Sequence, residues 1–151
     1  MADAKTVDAV EVEVRIGASP ETVFDFFTDP DRVIQWMGRS ARLDPRPGGG
    51  FDLDINDDAA VAGEYVALEP PNRVVFTWGW TGEDSVTPPG SSTVEVLLTA
   101  EGDGTHLRLI HSDLPSEESA AKHGHGWRHY LDRLATAAAG GDPGADKFGS
   151  A

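Results

Sequence analysis

Residues 115–140, PSEESAAKHGHGWRHYLDRLATAAAG, decide how the rest of the chain must be arranged. Ser116 is a helix N-cap, because its hydroxyl can accept from a free amide of the first turn. Glu117 and Glu118 follow where the helix dipole favours negative charge. Gly140, Gly141 and Pro143 supply the stop. Between these signals, Ala120, Gly124, Trp127, Leu131, Leu134 and Ala138 recur at steps of four and three, which makes one apolar stripe. His123 and Tyr130 flank the stripe, and Lys122, His125, His129, Asp132 and Arg133 fall on the opposite face. Gly124 and Gly126 cost about 1 kcal/mol each against Ala. Small residues beside Trp127 imply either a very close neighbour or open space. A helix this long cannot bury its stripe alone, so the chain must provide a sheet to receive it.

That sheet is legible upstream. Val10, Val12, Val14 and Ile16 alternate with Glu11, Glu13 and Arg15 as a half-buried strand. Ser19-Pro20-Glu21 and Asp29-Pro30-Asp31 each start a short helix, an N-cap followed by Pro at the first helical position. From Ser40 onward the pattern is strands and turns: an edge strand at 41–43, then Phe51 to Ile55, Val61 to Glu69, Val74 to Trp80, Val94 to Leu98 and Leu107 to His111. Asn56-Asp57-Asp58, Pro70-Pro71-Asn72 and Gly102-Asp103-Gly104 read as turns, and 81–91 as a polar loop. Residues 1–9 read as a loose arm and 141–151 as a disordered tail, leaving one domain at 10–140. The order predicts an α+β fold, a curved antiparallel sheet around a long C-terminal helix. Leftover volume is expected between sheet and helix, next to the two short helices.

The 151 residues carry a net charge of −14 and no cysteine. Such acidity argues against nucleic acid and against an anionic membrane surface, both of which need clustered Lys and Arg. Without Cys there is no thiol nucleophile and no thiolate metal site. No apolar run approaches a bilayer span, and the N-terminus lacks a signal-like apolar core, so the expected location is cytoplasmic.

The inward-facing positions are rich in aromatics: Phe24, Phe27, Trp36, Phe51, Phe76, Trp78, Trp80, Trp127 and Tyr130. They point to a pocket for an apolar or aromatic molecule. Few polar groups are expected on the same faces. Alternation places Glu64 with Val66 and Leu68, His111 with Leu107 and Leu109, and His123 beside Trp127. A Glu–His pair in an apolar cleft could perform acid–base chemistry. His125, His129 and Asp132 have metal-ligand spacing but sit on the predicted solvent face, so no metal is assigned. No phosphate loop and no Ser–His–Asp arrangement is legible, and no cofactor is assigned.

An ordered set of motifs resembles the START-like, polyketide-cyclase-type superfamily (SRPBCC). Within it, the set resembles the branch named for the activator of the heat-shock-protein-90 ATPase. The set comprises Ser19-Pro20-Glu21-Thr22-Val23-Phe24, Asp29-Pro30 to Trp36, Asp44-Pro45-Arg46-Pro47-Gly48-Gly49, and Gly63-Glu64-Tyr65 with Glu69-Pro70-Pro71. Arg73 to Trp78, Ser92 to Val96, Gly104 to Leu109, and Gly126-Trp127 with Leu131 and Leu134 complete it. The resemblance implies the helix-grip fold, with a long helix held over a cavity, and carries no fixed catalytic motif.

The leading expectation is therefore binding of a small hydrophobic molecule between sheet and helix. Its site residues are Trp36, Phe51, Glu64, Phe76, Trp78, Trp80, His111, His123, Trp127 and Tyr130. The alternatives are a cyclase or dehydratase using a cavity Glu or His, and a chaperone-associated interaction module. Exposed strands would permit homodimerisation, although no residue argues for it.

Overall fold

The computed structural model describes residues 8–56, 59–82, 85 and 87–144. Most of the expected arm, the Asp57-Asp58 turn, part of the 81–91 loop and the end of the expected tail lie outside these residues. The described elements are β1 (Asp8–Ile16), α1 (Pro20–Asp25), α2 (Pro30–Val33), β2 (Ser40–Leu43), β3 (Gly50–Asn56), β4 (Ala59–Glu69), β5 (Arg73–Trp78), β6 (Ser92–Glu101), β7 (Gly104–Leu114) and α3 (Glu117–Ala138). Asp8 and Ala9 thus belong to the first strand. Both short helices start as their sequences require: Ser19 Oγ accepts from the Thr22 amide, and Asp29 accepts from that of Asp31.

All seven strands form one antiparallel sheet in the order β1-β7-β6-β5-β4-β3-β2. The chain folds as a meander from β2 to β7, and β1 joins beyond β7. β4 serves two neighbours in turn: Ala59–Glu64 pair with β3, and Tyr65–Glu69 pair with β5. One face of the sheet is apolar, carrying Val12, Ile16, Phe51, Leu53, Tyr65, Phe76, Val94, Val96, Leu107 and Leu109, all buried. The other face is polar and laced with cross-strand ion pairs such as Glu11–Arg108 (2.6 Å) and Glu95–Arg73 (2.7 Å). Exposed pairs of this kind contribute at most about 1 kcal/mol each, so the inner face carries the stability.

α3 lies across the apolar face and packs on β1 and β7. Ser116 caps it by accepting from the Ser119 amide at 3.0 Å. Gly124 explains the close approach to β1: a Cβ there would lie 2.8 Å from Val10 Cγ2. At the far end, α1 and α2 close the fold with a plug of aromatics. Phe27 meets Trp36 edge-to-face at 5.2 Å, and the Trp36 indole donates to the Phe26 carbonyl at 2.9 Å. Phe51 and Phe76 stack at 4.1 Å behind them, and the Tyr65 hydroxyl donates to the Phe27 carbonyl at 2.7 Å.

Three expectations change here. Glu64 does not face inward; it is exposed, as is Val66, while Tyr65 is buried. A β-bulge between Tyr65 and Ala67 shifts the parity of the strand. Leu68 does pack against the core, but counting back from it by twos across the bulge assigns Glu64 to the wrong face. Arg133 is not on a free solvent face either. Its guanidinium donates to the carbonyls of Trp36 (3.0 Å), Pro143 (3.2 Å) and Gly144 (2.9 Å), fastening the end of α3 to the turn after α2 and to the segment after the helix. Finally, Phe27, Trp36 and Phe51 fill the interior beside the two short helices, and the space left there is an outer cleft of about 360 Å³ lined by Ile34, Ile55 and Arg133.

The two glycines should respond oppositely to substitution. Gly124→Val forces a branched side chain against Val10 and should lower stability by about 1–3 kcal/mol. Gly126→Ala should leave stability unchanged or raise it by up to about 1 kcal/mol through helix propensity. Urea unfolding of both variants checks this; equal losses would contradict the close packing assigned to Gly124.

Candidate functional site

The open space lies on the other flank of α3, toward its N-terminal half. β5 delivers Trp78 to the inner face, and Gly79 lets the chain pass under the returning loop, since a Cβ there would collide with the Pro88 carbonyl. The Trp80 amide then donates to the Thr87 carbonyl at 2.7 Å, and Trp80 forms an isolated bridge with Val61. These contacts hold the Trp80 ring over the edge of α3. Between the two elements is a cleft of about 560 Å³, lined by Trp78, Trp80, Ala121, Lys122, His123, His125, Gly126, Trp127 and Tyr130. Its lining surface is almost wholly carbon. Lys122, Gly126 and Tyr130 follow one another at intervals of four along the helix, so Gly126 sits in the middle of the wall and contributes no side chain to it.

Of the ten residues expected at the site, the structure gathers Trp78, Trp80, His123, Trp127 and Tyr130 around this cleft. Trp36, Phe51 and Phe76 belong to the packed core, at 0 % exposure. His111 lies behind Trp127, and Glu64 is on the outer face. The sequence reading did not include Ala121, Lys122, His125 and Gly126 in the wall. The glycine at 126, four residues from both Lys122 and Tyr130, was the available signal.

Two hydrogen-bonded chains hold the indoles and fix both histidines. Trp127 Nε1–H donates to His111 Nδ1 at 2.9 Å. His111 must therefore carry its proton on Nε2, which lies 2.8 Å from Ser92 Oγ. Ser92 in turn donates its hydroxyl hydrogen to the Trp78 carbonyl at 2.8 Å, so it accepts from His111. In the second chain, Trp80 Nε1–H donates to His123 Nε2 at 3.1 Å, and His123 Nδ1–H donates to the Ser119 carbonyl at 2.8 Å. The two imidazoles meet edge to face at 4.7 Å. Burial pushes His111 down to about 3, aided by the neighbouring His123 ring. Burial also lowers His123, partly offset by its bond to Ser119. Both rings are neutral with both nitrogens engaged. Trp78 is the exception among the indoles: its buried N–H has no hydrogen-bond partner among the described residues.

This arrangement bears on chemistry. Ser92 and His111 are adjacent but wired in the direction opposite to a nucleophile and its base, because the serine proton is spent on a carbonyl and the imidazole is the donor. Among the described residues, no group of three or more His, Asp or Glu is placed to hold a metal ion. No described helix is long and apolar enough to cross a membrane.

Residues 17–139 match the family described as activator of Hsp90 ATPase homolog 1-like protein. The chain belongs to this family. It thereby carries the helix-grip fold of the START-like superfamily, in which the cleft lies between helix and sheet. An AHSA1-like protein of Rhizobium etli, solved in solution, is 42% identical with a TM-score of 0.74, covering 96% of this chain and 90% of that one. An HSP90 activator of Plasmodium falciparum is 25% identical with a TM-score of 0.66, covering 83% of this chain and 92% of that one. An uncharacterised Schizosaccharomyces pombe protein, C1711.08, is 28% identical over 120 residues, which are 79% of this chain. The match spans only 34% of that curated relative's length.

Acid should expose the histidine chains. His111 titrates near 3 in the folded chain and at about 6.5 when unfolded. Between these values the unfolded state binds more protons, so stability falls as pH drops through the window. By pH 5 the loss attributable to His111 should be about 2 kcal/mol relative to pH 7.5. His111→Gln, which can still accept from Trp127 and donate to Ser92, should flatten that slope. Urea unfolding across pH 7.5 to 5 measures it; an unchanged slope would refute the neutral, buried assignment.

Proposed function

We propose that the chain binds a small apolar molecule, aromatic in its greater part, in the cleft between Trp78, Trp80, Trp127 and Tyr130. The observation that carries this reading is the cleft's almost purely carbon lining beside a helix glycine. A well-packed helix–sheet contact has no reason to leave that volume recessed. Four ring systems around one space offer edge and face contacts to a flat guest. The volume falls within the range of small-molecule sites.

The enzymatic reading is weaker on this geometry. Glu64 lies outside, and His111 and His123 have no nitrogen free for a substrate. The family description and the Plasmodium falciparum neighbour favour a chaperone-associated role instead. That role would need an apolar surface, and the described exposed large hydrophobics are Ile34 (36 %) and Val66 (51 %), on separate elements. Ligand binding therefore remains the better-supported proposal.

N-phenyl-1-naphthylamine, a neutral fluorescent aromatic, should bind the purified chain and quench Trp emission. Gly126→Leu, which fills the middle of the wall, should weaken binding about tenfold or more, as one blocked apolar contact surface would, with the circular dichroism spectrum intact. Absence of binding to the wild type, or equal binding to Gly126→Leu, would overturn the proposal.

A further inference from the structure

We propose that the site has a second compartment that takes a neutral, hydroxylated arm of the ligand, such as a glycosyl or polyol substituent. This rests on the apolar cleft's being the ligand's main seat. A separate cavity of about 310 Å³ lies on the other side of the Trp80–His123 bond. Trp80, Lys122 and His123 line both spaces, so the Trp80–His123 pair is a ridge shared by the two. The chemistry changes across that ridge. The far wall carries the hydroxyls of Ser85, Thr87, Ser116 and Ser119.

Two of these hydroxyls are unusual. Thr87 is 2 % and Ser119 6 % exposed, yet their oxygens meet only at 3.5 Å. A good hydroxyl pair is closer to about 2.8 Å. Ser119 Oγ is also 3.4 Å from His123 Nδ1, but that nitrogen's hydrogen is committed to the Ser119 carbonyl at 2.8 Å. Each hydroxyl can donate one hydrogen and accept two, so this buried pair retains capacity facing a cavity. The charges there balance, with Glu118 and Lys122 paired at 3.7 Å. Ser116 already occupies one first-turn amide of α3, and Glu118 stands on the same wall. The compartment is therefore poor for phosphate or carboxylate and suited to a neutral group with several hydroxyls. The Trp80 ring, partly exposed on the ridge, can carry the carbon face of a pyranose.

The matched probes are 2-naphthol and 2-naphthyl β-D-glucopyranoside, titrated into the full chain by Trp fluorescence. The glucoside should bind about fivefold tighter or better, the effect of one or more added hydrogen bonds. Saturation-transfer NMR on the wild type should show the sugar protons in contact with protein. Ser119→Ala and Thr87→Val should each remove most of the glucoside's advantage and leave 2-naphthol affinity unchanged, which also reports that the variants are folded. If 2-naphthol binds and the glucoside is no tighter, or its sugar receives no saturation, the second compartment is overturned and the apolar cleft stands. If the advantage survives both substitutions, the hydroxyl pair is not the receptor and the proposal fails. If neither probe binds, the apolar cleft falls and this inference falls with it.

Discussion

The contact of Gly124 with Val10 sets the position of α3, and most of the rest follows from that position. Seven strands at a spacing of about 4.8 Å make a sheet about 29 Å wide. A helix with its side chains is only about 10–12 Å across. One helix cannot cover such a sheet, so where it lies decides what is left over. The missing side chain at Gly124 lets α3 settle against β1. The far side of the sheet, over β3 to β5, must then be filled by other means. The turns after α1 and α2 fill one end with Phe27 and Trp36, and Phe51 and Phe76 stack in the same core. At the other end, Trp78, Trp80 and Trp127 reach across the gap, and the cleft is what they do not fill.

Such a wall of indoles creates its own polar problem. A buried N–H without a partner costs about 1–3 kcal/mol, and three lie near the cleft. The fold answers two of them with histidines, one from β7 and one from α3. Each histidine is held by a second bond, to Ser92 or to the Ser119 carbonyl. The histidines thus act as acceptors that aim aromatic rings. This separates them from catalytic histidines in a way that residue identity does not. A His beside a Ser in a cleft looks like chemistry until the direction of each hydrogen is followed. Here Trp127 supplies the first donor, and every later step in that chain is forced by it.

The fold was legible because its signals are local and repeated. Ser19-Pro20, Asp29-Pro30 and Ser116 each start a helix where their chemistry says they should. The strands alternate, and five of the six stripe residues on α3, Gly124, Trp127, Leu131, Leu134 and Ala138, are buried. What was not legible depended on one inserted residue or on distance. The bulge at Tyr65 and Ala67 reverses the strand's parity and is invisible to a count by twos, so Glu64 was misplaced. The aromatic set was correctly read as interior, but sequence gives no measure of where packing stops. Trp36 and Trp80 look alike in pattern, though one is sealed by the Phe26 carbonyl and the other stands at a rim. Lys122 and His125 were assigned to the solvent side of α3. The cleft wraps over that shoulder of the helix, with Gly126 in its wall.

The two helix glycines separate packing from function. Each carries a similar penalty in helix propensity, about 1 kcal/mol against Ala. Gly124 offsets its cost through the approach to Val10, and the whole helix–sheet distance depends on it. Gly126 lies about half a turn further round and lines the cleft with Lys122 and Tyr130. A penalty matched by packing is a feature of the fold. One kept beside an open carbon-lined volume fits the proposed binding role. The same distinction applies to the buried hydroxyls of Thr87 and Ser119, which pack without bonding well. Both departures from good packing lie along one side of α3, on either side of the Trp80–His123 ridge. The core at the α1–α2 end makes no comparable concession, with Trp36 and Tyr65 both buried and hydrogen-bonded. The carbon-lined recess and the loosely bonded hydroxyls on this one flank are the physical argument for the binding proposed there.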